Sequence, residues 1–343
     1  MSPEGSSADA DSRGSALMAS LHPWFHEGRP VLVTGGRGFL GSHLAIRLAS
    51  LAPAGCEVVV VDNGTRDCLP SIAPTPPANV RLLEGDIREP ESWLPDVGAP
   101  SVVLHCAALA GVSTYYRDPF SVMEVNGLGT ARLLAALEEQ LPSLFVHLST
   151  SEVYGMDASG AHEGRSTSIG PVPDPRWTYG ASKLFGEHLL FAFARKTGLP
   201  SVVVRPFNVY GPGQLGEGAI RNFAERAVQG DDLLVTGDGS AIRSWVYVDD
   251  LVEAVLALAA TPSSWGASYN VGNPDSQIST AQLARLILDE SGGPGALVFE
   301  PHPGQEIQNR WPSIDAIRAA TGWEPRVALA EGVARTVQFW RSQ

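Results

Sequence analysis

Lysine is almost missing from this chain of 343 residues: of its 24 Lys and Arg residues, only Lys183 and Lys196 are lysine. Positive charge is in deficit as well. The 37 Asp and Glu leave a net charge of -13, which argues against nucleic acid or an anionic membrane as the main partner. Any anionic ligand then needs a local basic pocket. Cysteine is scarce, and Cys56, Cys68 and Cys106 are too few and too scattered for a disulfide framework or a zinc site. No metal is expected. No apolar run approaches the ~20 residues of a membrane span. The N-terminus lacks the basic start and apolar stretch of a secretion signal. Rich in Ser, Ala, Gly and Asp from Met1 to about Ser20, it reads as a disordered tail over 1–27 of a soluble, cytoplasmic protein.

What is present begins with alternation. Short β-branched runs at Val31–Val33, Glu57–Val61, Val80–Leu83, Val102–His105, Leu144–Leu148 and Val202–Val204 alternate with amphipathic stretches at Leu40–Ser50, Ser121–Gln140 and Tyr179–Lys196. Continuous apolar strands separated by helices predict an α/β fold, a doubly wound parallel sheet covered on both faces. Beyond Pro206 the elements shorten. Helices are expected at Ala219–Gln229, Asp249–Ala260, Thr280–Ser291, Ser313–Ala320 and Leu329–Arg341, with strands at Leu233–Val235, Ser244–Val246 and Tyr269–Val271. The pattern divides into a first domain over 28–206 and a smaller C-terminal α/β lobe over 207–343, with segments free to interleave.

Between the first strand and first helix lies Gly35-Gly36-Arg37-Gly38-Phe39-Leu40-Gly41. Gly35, Gly38 and Gly41 permit a tight turn and close approach to a pyrophosphate, and the helix N-terminus offers amide donors. Strand before and helix after make this a Rossmann dinucleotide loop, which also brings Phe39 and Leu40 to the cofactor. Asp62, closing the second strand about twenty residues on, can take the ribose hydroxyls with Asn63 beside it and repel a 2′-phosphate. It predicts NAD rather than NADP. Asp62-Asn63-Gly64 is equally good turn chemistry, and Arg37 and Arg66 lie close enough in sequence to assist a 2′-phosphate.

Lys183 now gains a use. It stands four residues after Tyr179, so phenol and ammonium share a helix face. A nearby ammonium stabilises phenolate and lowers the phenol pKa, making Tyr179 a candidate general base. An amphipathic helix carrying both by chance is the ordinary alternative, which the nucleotide loop upstream weakens.

TGGRGFLG at 34–41, GDIR at 85–88, HCAA at 105–108, LSTSEVYG at 148–155, YGASK at 179–183, RPFNVYGPG at 205–213 and RSWVYVDD at 243–250 together resemble the extended short-chain dehydrogenase/reductase family of sugar-nucleotide epimerases, dehydratases and decarboxylases. The likeness runs from about Pro30 to Trp340. It implies that Tyr179 is the base at the sugar 4-hydroxyl and that Lys183 also binds the nicotinamide ribose. Asp86 and Ile87 would sit by adenine, Ala107 and Ala108 under the cofactor, Asn126 in the active-site helix, and Pro206 at the cofactor. A homodimer through a four-helix interface, built from the Tyr179 helix and Ser121–Gln140, is a further implication.

The segment Thr150-Ser151-Glu152 discriminates among reactions. The resembling 4,6-dehydratases carry Thr-Asp-Glu, and Ser151 in the Asp position is a poor proton source for a departing hydroxide. Simple 4-epimerases usually lack a carboxylate at Glu152. Thr-Ser-Glu resembles the UDP-glucuronate decarboxylases, which implies oxidation at C4, loss of carbon dioxide from the resulting β-keto acid, and return of the hydride to give UDP-xylose or its 4-keto precursor. Thr150 would bond the 4-oxygen, while Ser151 and Glu152 steer the carboxylate and handle a proton or water. Glu152 capping a loop is the plainer alternative. Arg243 and Arg176 would hold the acidic sugar nucleotide, where a guanidinium fork suits carboxylate and phosphate; for each, a surface salt bridge is the ordinary alternative. Asn208, Glu217, Ala219, Val235 and Arg310 would line the remainder of the substrate site. UDP-glucuronate is the expected partner. UDP-glucuronate 4-epimerase, a nucleotide-hexose 4,6-dehydratase and an NAD-sensing scaffold are the rival readings. His105 and His147, in core strands without metal spacing, read as buried structural residues.

Overall fold

A computed structural model describes Leu21, Trp24, Phe25 and residues 28–301 and 307–343. Most of the expected tail lies outside the described residues. Leu21, Trp24 and Phe25 do not behave as tail: all three are buried in the main apolar cluster, so the composition of Met1–Ser20 was extended too far.

Seven parallel strands form the central sheet: β1 (Val31–Thr34), β2 (Val58–Asp62), β3 (Val80–Glu84), β4 (Val102–His105), β5 (Leu144–Leu148), β6 (Ser201–Pro206) and β7 (Ser268–Val271). Their order is β7-β6-β5-β4-β1-β2-β3. Alternation sends successive side chains to opposite faces. Val31, Val33, Val58, Val60, Val102 and Leu104 pack with Leu44 and Leu48 of helix Phe39–Leu51 and with Leu251 and Val255 of helix Val248–Ala259. Leu32, Val59, Val103, Phe145 and Val203 face Trp93, Leu133, Leu134 and Leu190. Both faces are therefore dry, which is why the strands read as unbroken apolar runs rather than alternating ones.

The chain leaves β1 toward β2 on one side and is flanked by β4 on the other. This reversal of strand order opens a crevice at the carboxyl ends, the usual ligand position in such sheets. β7 comes from beyond residue 206, pairing with β6 from Ser268↔Val203 to Val271↔Pro206. The central sheet is therefore not confined to 28–206.

A second sheet joins Ile278–Ser279, Ile242–Arg243, Asn309–Pro312 and Asp157–Ala161 in that order. The expected strand Ser244–Val246 is absent. Ile242–Arg243 and Val246–Tyr247 belong to different sheets, and the chain crosses between them where Trp245 N donates to Ser276 Oγ at 2.8 Å. Helices Ala219–Gln229, Thr280–Ser291 and Leu329–Arg341 pack around Phe223, Leu283, Ile287 and Val337. The expected helix Ser121–Gln140 resolves into Pro119–Met123, a π-helical turn at Glu124–Gly129, and Thr130–Ala136.

Candidate active site

At the carboxyl end of β1 the glycine loop is packed to the limit. A side chain at Gly35 would begin 2.5 Å from the Cα of Ala107, and one at Gly41 would collide with the Gly35 carbonyl. Gly35 also has φ +66°, which favours glycine. The following helix, Phe39–Leu51, has no side-chain cap, leaving first-turn amides for an anion. Asp62 ends β2 with both carboxylate oxygens engaged: Oδ2 accepts Arg37 N at 3.0 Å and Oδ1 accepts Gly64 N at 2.8 Å. The acid is thus fixed in orientation at the rim.

From this loop a cavity of about 390 Å³ runs across the strand ends. Gly35, Gly38, Phe39, Leu40, Gly41, Asp62, Asn63, Ile87, Ala107, Ala108 and Pro206 line it, as do Thr150, Ser151, Glu152, Tyr179, Lys183, Asn208, Glu217 and Arg310. The structure therefore gathers nineteen of the expected residues around one volume. Its size suits a drug-sized ligand.

Six expected residues are not among the lining. The Asp86 carboxylate is turned to Arg88, whose hydrogen bond and charge hold it below the usual range against burial. Asn126 sits behind the wall, accepting Leu109 N at 2.7 Å and donating to Leu109 O and Ser182 Oγ at 3.1 Å each. Arg176 grips Glu152 through Nη1 at 2.6 Å and Nη2 at 3.1 Å, so it orients a carboxylate of this chain instead of reaching the cavity. Arg243 donates to the carbonyls of Ile242, Ile307 and Gln308. Ala219 opens helix Ala219–Gln229, and Val235 is fully buried in the apolar cluster around Phe223 and Leu283.

The 3-10 turn Ser151–Tyr154 presents the Thr-Ser-Glu segment, with Thr150 Oγ1 accepting Glu152 N at 3.2 Å. Thr150, not Glu152, is the cap. Arg310 Nη1 lies 3.5 Å from Glu152 Oε1 and adds a second guanidinium to the Arg176 fork. Burial raises the carboxyl, but Arg310 and Arg176 outweigh it, so Glu152 is held below its ordinary value and stays charged.

Lys183 is buried on helix Thr178–Thr197 and donates to Leu148 O at 2.6 Å. Burial brings it down to about 8. The expectation that it lowers the Tyr179 phenol is not met in this arrangement. Burial first, and then the Glu152 charge, push the phenol well above its usual value; the Thr150 hydroxyl offsets this only in part.

Tyr115 was not anticipated. Its ring stacks on Tyr179 with centroids 5.1 Å apart and planes 5° from parallel. Nothing in its local pattern, a short helix at Val112–Arg117, marks it before the fold places it. His105 is pinned between Thr34 Oγ1 at 2.7 Å and Thr130 Oγ1 at 2.9 Å, and burial lowers it to about 3. It is a neutral core residue, as read from the strand pattern.

Glycine loop, Asp62, and the Tyr179–Lys183 pair share one crevice, and the profile of the NAD dependent epimerase/dehydratase family matches residues 31–272. The chain belongs to this family. NAD is its cofactor, and the glycine cradle, the uncapped helix start and the rim carboxylate of Asp62 suit a dinucleotide. The chain is 34% identical over 323 residues to a UDP-N-acetyl-alpha-D-glucosaminuronate decarboxylase of Bacillus cytotoxicus, covering 90% of this chain and 97% of that protein. It is 32% identical over 320 residues to UDP-glucuronic acid decarboxylase 1 of Xenopus tropicalis, covering 91% and 72%. A solved UDP-glucuronic acid 4-epimerase from Bacillus cereus, in complex with UDP-glucuronic acid and NAD, superposes with a TM-score of 0.79 at 28% identity, covering 91% of this chain and 99% of that one. Among the described residues no group of side chains could hold a metal ion, and no helix is long and apolar enough to cross a membrane.

Proposed function

We propose that this chain decarboxylates a UDP-linked hexuronate, with UDP-glucuronate as the substrate and UDP-xylose or its 4-keto precursor as the product. The observation that carries the reading is Glu152, a carboxylate held charged by Arg176 and Arg310 at the cavity wall beside Thr150, Ser151 and Tyr179. The two decarboxylase relatives support it. Gly35, Gly38, Gly41 and Asp62 would hold NAD, with Ala107, Ala108 and Lys183 along its length. NAD, when bound, supplies the acceptor and later the donor of the C4 hydride and, oxidised, a positive charge that favours the Tyr179 phenolate. Tyr179 takes the 4-hydroxyl proton as that carbon becomes a ketone. The C6 carboxylate is then β to the ketone, so the bond to carbon dioxide breaks with its electron pair delocalised toward the 4-oxygen. Thr150 steadies that oxygen. Arg310, whose Nε has no partner among the described residues, offers a cation to the C6 carboxylate before it leaves. Glu152 and Ser151 order the water or proton that restores C5. Tyr179 returns its proton as C4 is reduced again.

Ser151 leaves no acid for expelling a hydroxyl, which disfavours dehydration. A second substrate, the N-acetylated hexuronate of the Bacillus relative, is favoured by the higher identity to that protein. Incubation of the chain with each UDP-hexuronate and NAD, read by mass spectrometry, tests the proposal. Loss of one carbon dioxide from UDP-glucuronate is the expected result, and Tyr179→Phe should slow it by roughly 10²–10⁴ while retaining bound NAD. Unchanged mass with altered retention would make the chain an epimerase; loss from the N-acetylated sugar alone would reassign the substrate.

Supporting a homodimer, Phe120, Met123, Leu128 and Phe185 are exposed apolar residues on helix Pro119–Met123, the π turn and helix Thr178–Thr197. The residues expected to make a four-helix interface thus carry exposed apolar surface, and the acidic composition suits the cytoplasm.

A further inference from the structure

Two cations flank the turn after β2, Arg37 from the glycine loop and Arg66 from the turn itself, and one is tied back. Arg37 N donates to Asp62 Oδ2 at 3.0 Å, so its side chain leaves from the rim where a ribose hydroxyl would meet the acid. The guanidinium extends beside the turn: a side chain at Gly64 would begin 3.6 Å from Arg37 Nη1. Yet Arg37 does not line the cavity, whereas Arg66 does. Arg37 Nη2 is ion-paired with Asp67 Oδ2, and Arg37 Nε is buried without a partner among the described residues. The chain is also stitched here by Cys68 N donating to Arg37 O at 2.7 Å. Arg66, the second cation, donates long hydrogen bonds to Ala110 O at 3.3 and 3.4 Å.

We propose that Asp67 is a specificity-determining residue: by holding Arg37 away from the ribose end of the cavity, it keeps the chain selective for NAD over the 2′-phosphorylated dinucleotide. Asp62 alone repels a 2′-phosphate, but a free arginine one hydrogen bond away would neutralise much of that repulsion. Asp67 removes this cation from the cavity while leaving the Arg37 backbone in the glycine loop. The arrangement uses a carboxylate outside the site to decide what the site accepts. It holds whichever sugar is turned over.

Asp67→Asn is the discriminating variant, because an asparagine oxygen can still accept the Leu69 N hydrogen bond now made to Oδ1 at 3.1 Å. Both partners of the ion pair are partly exposed, so its loss should leave the fold intact. Fluorescence titration of the full chain with NADH and NADPH reads the outcome. NADPH affinity should rise by about tenfold or more, the order of one charge-assisted hydrogen bond, with NADH affinity unchanged within about threefold. Adding Arg37→Ala should abolish the gain. An unchanged NADPH affinity in Asp67→Asn, or a gain that survives in the double variant, would overturn the proposal.

Discussion

At Glu152, burial and two guanidiniums pull one carboxyl in opposite directions, and the guanidiniums prevail. Its folded value lies below the unfolded carboxyl value of about 4.3. The contribution to stability is therefore complete above the unfolded value and is lost as pH falls through the folded one. Thermal melts should show the native chain losing stability below about pH 4. Glu152→Gln should flatten that limb and cost about 3–5 kcal/mol at neutral pH, because it leaves Arg176 and Arg310 without their shared anion. It should also slow carbon dioxide release more than the first oxidation at C4; an equal fall in both steps would remove Glu152 from the decarboxylation step. Much of this was legible, since Thr150, Ser151 and Glu152 are consecutive and Tyr179 and Lys183 share one helix face. The role of Arg176 was not. A fork that suits a sugar carboxylate suits a side-chain carboxylate equally, and only the fold shows Glu152 in its grip. The same holds for Asp67 and Tyr115, whose partners Arg37 and Tyr179 are distant in sequence.

Between Ser121 and Gln140 the sequence reads as one amphipathic helix, and the structure puts a π turn at Glu124–Gly129 within it. Such turns cluster at functional sites because the extra residue re-aims a side chain. Here it turns Asn126 inward, while Thr130 Oγ1 donates to Asn126 O at 2.6 Å and steadies the widened turn. Hydrophobic periodicity cannot report this, since one inserted residue shifts the phase less than the pattern's own scatter. Asn126 ties the Leu109 segment to Ser182, whose hydroxyl donates to Tyr179 O at 2.8 Å. Asn126→Ala removes these links and leaves Leu109 N and O unpaired. Calorimetry should record a loss of about 1–3 kcal/mol, and NADH titration a weaker affinity. An unchanged NADH affinity would confine Asn126 to a purely structural part.

Across the whole molecule, the alternation of apolar runs and helices was enough to specify six of the central sheet's seven strands and its two covered faces, while the seventh, Ser268–Val271, was read into the second lobe. What it missed were short strands such as Asp157–Ala161 and Asn309–Pro312, whose partner strands come from distant segments. Charge on the exposed apolar surface tests the assembly. Phe185→Asp should shift the chain from dimer to monomer in light scattering coupled to size exclusion, with NAD retained; a native monomer would end the dimer proposal. The placement of β7 has a different consequence, one of timing. β6 ends at Pro206, but its outer edge has no neighbour until Ser268–Val271 arrives. On a ribosome, the dinucleotide crevice can be outlined early while the sheet beside it keeps an open, hydrogen-bonding edge for some sixty residues of further synthesis. During that interval the nascent chain, though it already holds its glycine loop and Tyr179, is a candidate for chaperone custody rather than a finished binding domain.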